Sequence, residues 1–434
     1  MTAGMKHPPR EPVDPIIGHA PLTTVELFCG IGGFRVAADR VGLKTVWAND
    51  LNALAGTVYR DRHGADELHS GDIRQLIDRV PPHDILTAGF PCQPFSAAGK
   101  KEGTRDPRGT LFQTIVDVLQ RQRPRHFVLE NVKRLTTMEG GSHFATVLAA
   151  LSSLEYLVEW RVLNARHFGL AQNRERVVLL GTRTGAGTPV DKLRAIGTTN
   201  SVRTTSGSLP FGLSLSTPAD ALHAIKLATE ADLAASASDI TTRIARPSAW
   251  TDLADHNATF PNWGLALDGS FIACDLPQFT AARSAVSLSD ILEQDTPAEY
   301  DYTERTLHRL AANETVERYV NGVEILSNQA GGARMGYTIF GIGGLAPTLT
   351  ASTSRHYERY RVGSQYRRLT PTEYARLQGF ADDHCAAARG YDRYKLLGNA
   401  VPPPMIEWVL RQIVQASAPL ARSAPAHELE PSAA

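Results

Sequence analysis

Cysteine is sparse in this sequence and never closely paired. The four, Cys29, Cys92, Cys274 and Cys385, include no Cys-x-x-Cys spacing, which argues against a structural zinc site and against a disulfide framework. No metal is expected, and any special cysteine is special for its reactivity. Long apolar runs are missing as well, and the Pro-rich stretch Met1 to Ala20 lacks the apolar core of a secretory signal. A cytoplasmic protein with no membrane partner is expected. Net charge is absent too: Lys plus Arg equals Asp plus Glu at 45 each, so a polyanionic partner has to be held by a local patch. There is no internal repeat, no Gly-x-Gly-x-x-Gly fingerprint and no Lys-Ser/Thr of a phosphate loop, which counts against NAD and ATP.

What is present is an ordinary globular composition, 42% hydrophobic and 21% charged, in 434 residues, enough for two domains. From Thr23 to about Gly181 short apolar runs alternate with helical patterns, the texture of a parallel α/β sheet. Expected strands are Thr24 to Phe28, Thr45 to Asn49, Asp84 to Ala88, His126 to Glu130 and Val177 to Gly181. Expected helices are Gly33 to Val41, Leu51 to Arg60, Thr110 to Gln120 and Ser142 to Leu151.

After Gly181, Ser, Thr, Ala and Gly dominate to about Asp239, marking a domain boundary and loop-rich structure. Thr370-Pro371-Thr372-Glu373 looks like a helix start, with an N-cap and proline at the first helical position. A last helix, Pro404 to Ala416, is apolar on one face and is expected to pack back onto the sheet. The expected organisation is a disordered tail (1–20), a first domain (21–184), a second domain (185–391), a return to the first (392–417) and a disordered tail (418–434).

The first expected strand runs into Cys29-Gly30-Ile31-Gly32-Gly33 and then a helix. This sets a tight glycine turn at the carboxyl end of a strand, where open α/β sheets bind ligands and where a Cβ would block a cofactor from the backbone. Asp50 follows the first glycine by about 20 residues, the spacing of a ribose-binding acid. Asp72 is a candidate for the exocyclic amine of an adenine. A purely structural strand-to-helix corner is the other reading of the turn.

Strand Asp84 to Ala88 delivers the chain to Gly89-Phe90-Pro91-Cys92-Gln93-Pro94-Phe95-Ser96 at the same sheet edge, so Cys92 and the cofactor would share a cleft. The flanking prolines stiffen the loop and fix the direction of the sulfur. A lone cysteine is more often a small buried hydrophobe, and the loop around Cys92 argues for the nucleophile instead.

Six ordered motifs now carry a resemblance. They are Glu26-Leu27-Phe28-Cys29-Gly30-Ile31-Gly32-Gly33-Phe34, the Cys92 loop, Glu130-Asn131-Val132, Gln172-Asn173-Arg174-Glu175-Arg176-Val177, the stretch from Arg368 to Phe380, and Leu397-Gly398-Asn399-Ala400-Val401-Pro402. Together they resemble the DNA (cytosine-5)-methyltransferases of bacterial restriction-modification systems, over roughly Thr23 to Gly181 and Leu345 to Leu410. The region from Thr182 to Ser327 resembles nothing identifiable.

The resemblance implies a Rossmann-like S-adenosylmethionine-dependent methyltransferase sheet with a second, smaller target recognition domain. It implies S-adenosyl-L-methionine as methyl donor, held by Phe28, Gly30, Ile31, Gly33, Asp50, Leu51, Asp72, Ile73, Leu111, Asn399 and Val401. Cys92 would add to carbon 6 of a flipped-out cytosine and Glu130 would act at N3. Arg174 and Arg176 would contact the cytosine carbonyl, the surroundings of Cys92 and the DNA backbone, with Arg176 the stronger candidate for the base. The base that removes the carbon 5 proton is unassigned.

Double-stranded DNA is the expected partner of a monomer located with the bacterial nucleoid, and whether a separately acting restriction endonuclease accompanies it is left open. The compact size, without an appended regulatory domain, is expected of a bacterial modification enzyme. Arg334 or Met335, in the Gly-rich stretch Gln329 to Gly344, would fill the hole left by the flipped base. The segment Arg355 to Arg368, with Arg355, Arg359 and Arg361 among its cations and three tyrosines between them, reads as phosphate contact; a solvated charged face is its rival reading. Rival functions are a transfer-RNA cytosine-5 methyltransferase of the same fold, a non-catalytic DNA-binding relative, and an NAD-dependent oxidoreductase.

Overall fold

The computed structural model describes residues 21–90, 109–184, 251–254, 256–275, 284–329, 338–350 and 358–417. Its first half is built from strands β1 (Thr23–Leu27), β2 (Lys44–Asp50), β3 (Leu68–Ser70), β4 (Ile85–Gly89) and β5 (His126–Val132). These lie in the order β3-β2-β1-β4-β5, every neighbouring pair parallel. Helices α1 (Gly33–Arg40), α2 (Ala53–His63), α3 (Ile73–Leu76), α4 (Gly109–Gln122) and α5 (Ser142–Ser152) lie between and after them.

The central strands β1, β4 and β5 are largely apolar on both faces because both faces are covered. On β5, Phe127 and Leu129 enter one core with Val25, Leu27 and Leu86, while Val128 enters a second with Ile85, Phe34 and Ala37. Burying each such side chain contributes roughly 1.5–3 kcal/mol. Strand order reverses between β1 and β4, so a crevice opens at their carboxyl ends, where ligands bind in sheets of this kind.

Beyond β5 the sheet turns antiparallel. Strand β7 (Glu175–Arg183) inserts between β5 and β6 (Tyr156–Asn164), and β6 then pairs with β9 (Trp263–Leu267). Next come β10 (Ser270–Cys274) and β8 (Thr251–Asp252), completing ten strands among the described residues. Three of these strands therefore come from the stretch expected to form the second domain. The physical reason is β9: all five of its residues are buried, and they require the edge of β6 to cover them. Glu159 on β6 accepts a hydrogen bond from Trp263 Nε1 at 2.8 Å, and the Arg161 guanidinium reaches Asn262 Oδ1 at 3.5 Å.

The second sheet runs β11 (Glu314–Val320), β12 (Val323–Asn328), β13 (Ile339–Phe340), β14 (Arg359–Val362) and β15 (Gln365–Arg367). Its core joins α7 (Pro371–Gln378) and α8 (Asp392–Asn399), and α6 (Glu304–Leu310) precedes the sheet. Helix α7 begins as expected: Thr370 Oγ1 accepts from the Glu373 amide and Glu373 accepts from the Thr370 amide, with Pro371 at the first helical position. The Glu373 carboxylate also takes both terminal nitrogens of Arg367 at 2.7 and 2.8 Å, fully buried. The last helix, α9 (Pro403–Ser417), returns to pack Met405, Ile406 and Val409 against α1. No helix among the described residues is long and apolar enough to cross a membrane.

Candidate active site

The glycine turn leaves β1 through Phe28, Gly30 and Gly32 at φ 54°, 55° and 82°. This left-handed backbone suits glycine at the two positions where the chain must double back. The Gly30 amide donates to Asp50 Oδ2 at 2.7 Å, and Asp50 Oδ1 accepts from the Asn52 amide at 2.7 Å. The twenty-residue spacing thus corresponds to two strand ends side by side, with Leu27 and Asn49 paired in register. Burial raises Asp50 above the usual carboxylate range, although three backbone amides pull against it.

Beside Asp50, Leu51 exposes 71% of its surface. A large apolar side chain left bare next to a half-buried carboxylate is a natural place for a flat ligand ring. Asp72 caps α3, and its carboxylate is engaged by the Arg74 guanidinium, which holds it below its ordinary pKa. A ligand amine would have to share Asp72 with Arg74. Ile73 is buried in the core and so presents little beyond its backbone, and Leu111 packs against the same core. Asn399 is exposed, whereas Val401 is buried so close to Gly33 that a Cβ there would stand 2.6 Å from the Val401 carbonyl oxygen.

The catalytic candidates lie one strand away. Gly89, which ends β4, pairs in register with Glu130 of β5, and a Cβ on Gly89 would lie 3.4 Å from Glu130 Oε2. Arg176 reaches across from β7, with Nε 2.8 Å from Glu130 Oε1. Burial lowers the guanidinium's pKa and the carboxylate opposes that shift; arginine stays charged regardless. A buried ion pair at a strand end, beside the exit of another strand, can hold a polar heterocycle by both partners at once.

Cys92, Arg334, Met335 and Arg355 lie outside the described residues. Cys92 follows Gly89 by three positions in the chain. Burial lifts the Cys29 thiol well above its usual range and pushes Cys385 up to about 12, so neither is poised as a thiolate.

Two of the candidate arginines are buried in packing contacts. Arg174 is 1% exposed. Its guanidinium donates to the carbonyls of Leu349, Gly398 and Ala400 at 2.7, 3.0 and 2.9 Å. It therefore stitches the start of β7 to the returning chain on both sides of Asn399. Arg359 is 3% exposed and lies over the Tyr302 ring at 5.5 Å. Arg361, two positions further along β14, is exposed. Arg368 is likewise taken up, over the rings of Tyr300 and Tyr391.

Asn131 went unassigned from sequence. Its Nδ2 donates to the Phe90 carbonyl at 3.0 Å, tying the start of the Cys92 loop to the strand that carries Glu130. The available signal was alternation along β5, which turns Asn131 to the face opposite the acid. Gln172 was also unassigned: fully buried, it bonds to the carbonyl of Leu377 and the amide of Leu349.

A parallel sheet with a glycine turn and acid at its switch point, a largely enclosed Glu–Arg pair next door and a second, five-stranded sheet define a cofactor-binding α/β enzyme architecture. The family model described as C-5 cytosine-specific DNA methylase matches residues 22–211 and 271–415, and the chain belongs to that family. Among its relatives is the type II methyltransferase M.NgoBI of Neisseria gonorrhoeae, 46% identical over 159 residues, 36% of this chain and 50% of that protein. The match thus spans about half the length of that relative. The type II methyltransferase M.BanI of Aneurinibacillus aneurinilyticus is 30% identical over 416 residues, covering 90% of this chain and 95% of that one. The crystal structure of the S. pombe Dnmt2 methyltransferase shares the fold at TM-score 0.53 and 16% identity, covering 91% of this chain and 98% of that chain.

Proposed function

We propose that this chain transfers a methyl group from S-adenosyl-L-methionine to carbon 5 of cytosine within a specific duplex DNA sequence, protecting host DNA alongside a cognate endonuclease. The observation that carries this reading is the buried Glu130–Arg176 pair beside the strand end that leads to Cys92. S-adenosylmethionine fits the neighbouring crevice: Asp50 for ribose hydroxyls, bare Leu51 for the adenine face, and open space over Gly30. When bound it supplies an electrophilic methyl group.

Carbon 5 of cytosine is too weakly nucleophilic to take a methyl group unaided. The Cys92 thiolate adds to carbon 6, and the electron pair displaced from the 5,6 double bond makes carbon 5 enamine-like. Charge that builds toward N3 is met by the Glu130 carboxyl, while Arg176 orients that carboxyl and faces the ring carbonyl. After methylation a base, with water a candidate, removes the carbon 5 proton, and the electron pair left behind expels the sulfur. The base must leave the stack for this, at a cost of a few kcal/mol. The second lobe, with exposed Arg361, supports the duplex and selects the site.

The test is methyl incorporation into duplex DNA and into transfer RNA, followed by bisulfite sequencing of DNA from a host expressing the chain. Methylation at one DNA sequence is expected, and incorporation into RNA alone would overturn the reading. DNA carrying 5-fluorocytosine, which cannot lose a proton from carbon 5, is expected to trap wild type covalently and leave Cys92→Ala untrapped. Equal trapping by the two would remove Cys92 from the mechanism.

A further inference from the structure

The glycine turn is open on one side and gripped on the other. A Cβ added at Gly30 would meet nothing within 4 Å, but the next three residues are each met by a distant part of the chain. The Ile31 carbonyl is 2.7 Å from His384 Nε2. Gly32 lies so near His63 that a Cβ would stand 2.7 Å from that ring's Nε2, and Gly33 abuts Val401. His63 and Val401 supply shape. His384 supplies a directed bond.

His384 follows α7 in the second lobe, 353 positions along the chain from Ile31. Its ring is 4% exposed and packs on Phe380 with centroids 4.4 Å apart. The main chain beneath it is held from the first lobe. Arg62, near the end of α2, donates through Nε to the His384 carbonyl at 3.0 Å and pairs through Nη2 with Asp383 at 2.8 Å. The ring is therefore fixed from both sides, by Phe380 and by the segment that Arg62 anchors.

A carbonyl oxygen only accepts, so Nε2 must carry the hydrogen and the tautomer is set. Burial lowers the ring's pKa below its ordinary value, the bond to the Ile31 carbonyl and Asp383 oppose that shift, and Arg62 and Arg40 add to it. Ile31 is 2% exposed, so removing the donor would leave a buried carbonyl without its partner, which costs more than an average hydrogen bond is worth.

We infer that His384 is a positioning residue for the cofactor turn, holding the Ile31 carbonyl so that the backbone at Gly30 stays open for S-adenosylmethionine. Cofactor affinity then depends on a residue of the second lobe. This rests on the reading of the turn as the S-adenosylmethionine site.

The experiment measures the dissociation constant for S-adenosylmethionine by calorimetry on the full chain. It compares wild type with His384→Phe, which keeps a ring on Phe380 and loses the donor, and His384→Gln, which keeps an N–H. His384→Phe is expected to bind about tenfold more weakly, with KM for the cofactor raised and kcat at saturation little changed, and His384→Gln is expected to recover most of the loss. Equal affinity in wild type and His384→Phe overturns the inference while leaving the proposed function standing. Failure of wild type to bind S-adenosylmethionine sinks both. Should His384→Phe not fold, nitrogen NMR of histidine-labelled wild type decides: a neutral ring protonated at Nε2, whose resonance moves on adding cofactor, is expected. A ring protonated at Nδ1, or one that ignores saturating cofactor, overturns it.

Discussion

Arg176 Nε lies 2.8 Å from Glu130 Oε1, and the two side chains are only 10% and 12% exposed. Such a pair is held in register by the β5–β7 ladder, where Val132 faces Arg176 and Glu130 faces Val178. Removing one partner leaves the other charge buried, which typically costs about 3–5 kcal/mol. Its value at this place lies in orientation of the carboxyl.

Glu130→Gln keeps the volume and removes the acid. Turnover in a single-turnover methylation assay is expected to fall by roughly 10²–10⁴, with S-adenosylmethionine affinity within about threefold of wild type because the carboxylate lies outside the glycine turn. Turnover equal to wild type would show that Glu130 has no part in the chemistry.

Gly33→Ala tests the close approach between the glycine turn and the returning chain. The new methyl would sit 2.6 Å from the Val401 carbonyl oxygen and 2.7 Å from its Cγ1, and the backbone oxygen cannot swing away. Either α1 or the returning chain has to move. A loss of about 1–3 kcal/mol in urea unfolding is expected from the overpacking, together with weaker cofactor binding. Unchanged stability would mean that the two segments are not held together as the structure shows.

Apart from β3, a Leu-His-Ser strand with no apolar run that went unread, the parallel half of the sheet was legible because its strands are short apolar runs bounded by turn residues. Phe127 and Val128 point into opposite cores, yet both read simply as hydrophobic. Strand β6 was missed since Glu159 and Arg161 interrupt its apolar run, and their partners Trp263 and Asn262 are about a hundred positions away. The same distance hid the true extent of the sheet. At the site, the motifs named Glu130 and Arg176, which the structure pairs at 2.8 Å, but alternation alone put Arg174 on the same face. Along the strand period 2 holds from Glu175 onward; Arg174 precedes the strand and turns toward Gly398 and Ala400. His384 carried no motif at all, because its significance depends on a single carbonyl in another lobe.

Arg359 and Arg361 separate packing from DNA contact. Arg359 is buried over Tyr302 and Arg361 is exposed on the same short strand. Arg361→Ala is expected to reduce the slope of log affinity for duplex DNA against log salt by about 1 and to leave the melting temperature alone. Arg359→Ala should lower the melting temperature and leave the slope alone. The opposite pattern, a slope change from Arg359 and none from Arg361, would place the duplex elsewhere.

Acid sensitivity should trace partly to His126. It is 8% exposed, and burial together with Arg125 pushes it down to about 4, against an ordinary imidazole value of about 6.5. Between those two values the unfolded chain binds a proton that the native chain refuses, so stability rises with pH across the window and is lost as pH falls through it. His63, also pushed down to about 4, acts with the same sign. Asp39 and Asp50 act oppositely, since burial raises their pKa and the native state takes up protons more readily there. The total pH profile therefore mixes signs, and a difference measurement isolates the histidine. His126→Gln, measured by urea unfolding at pH 7 and pH 5, is expected to lose about 1–2 kcal/mol less than wild type loses on acidification, because the carboxylate contributions cancel between the two proteins. Parallel losses in both would mean that His126 accepts its proton as readily folded as unfolded, and the burial assigned to it on β5 would be wrong.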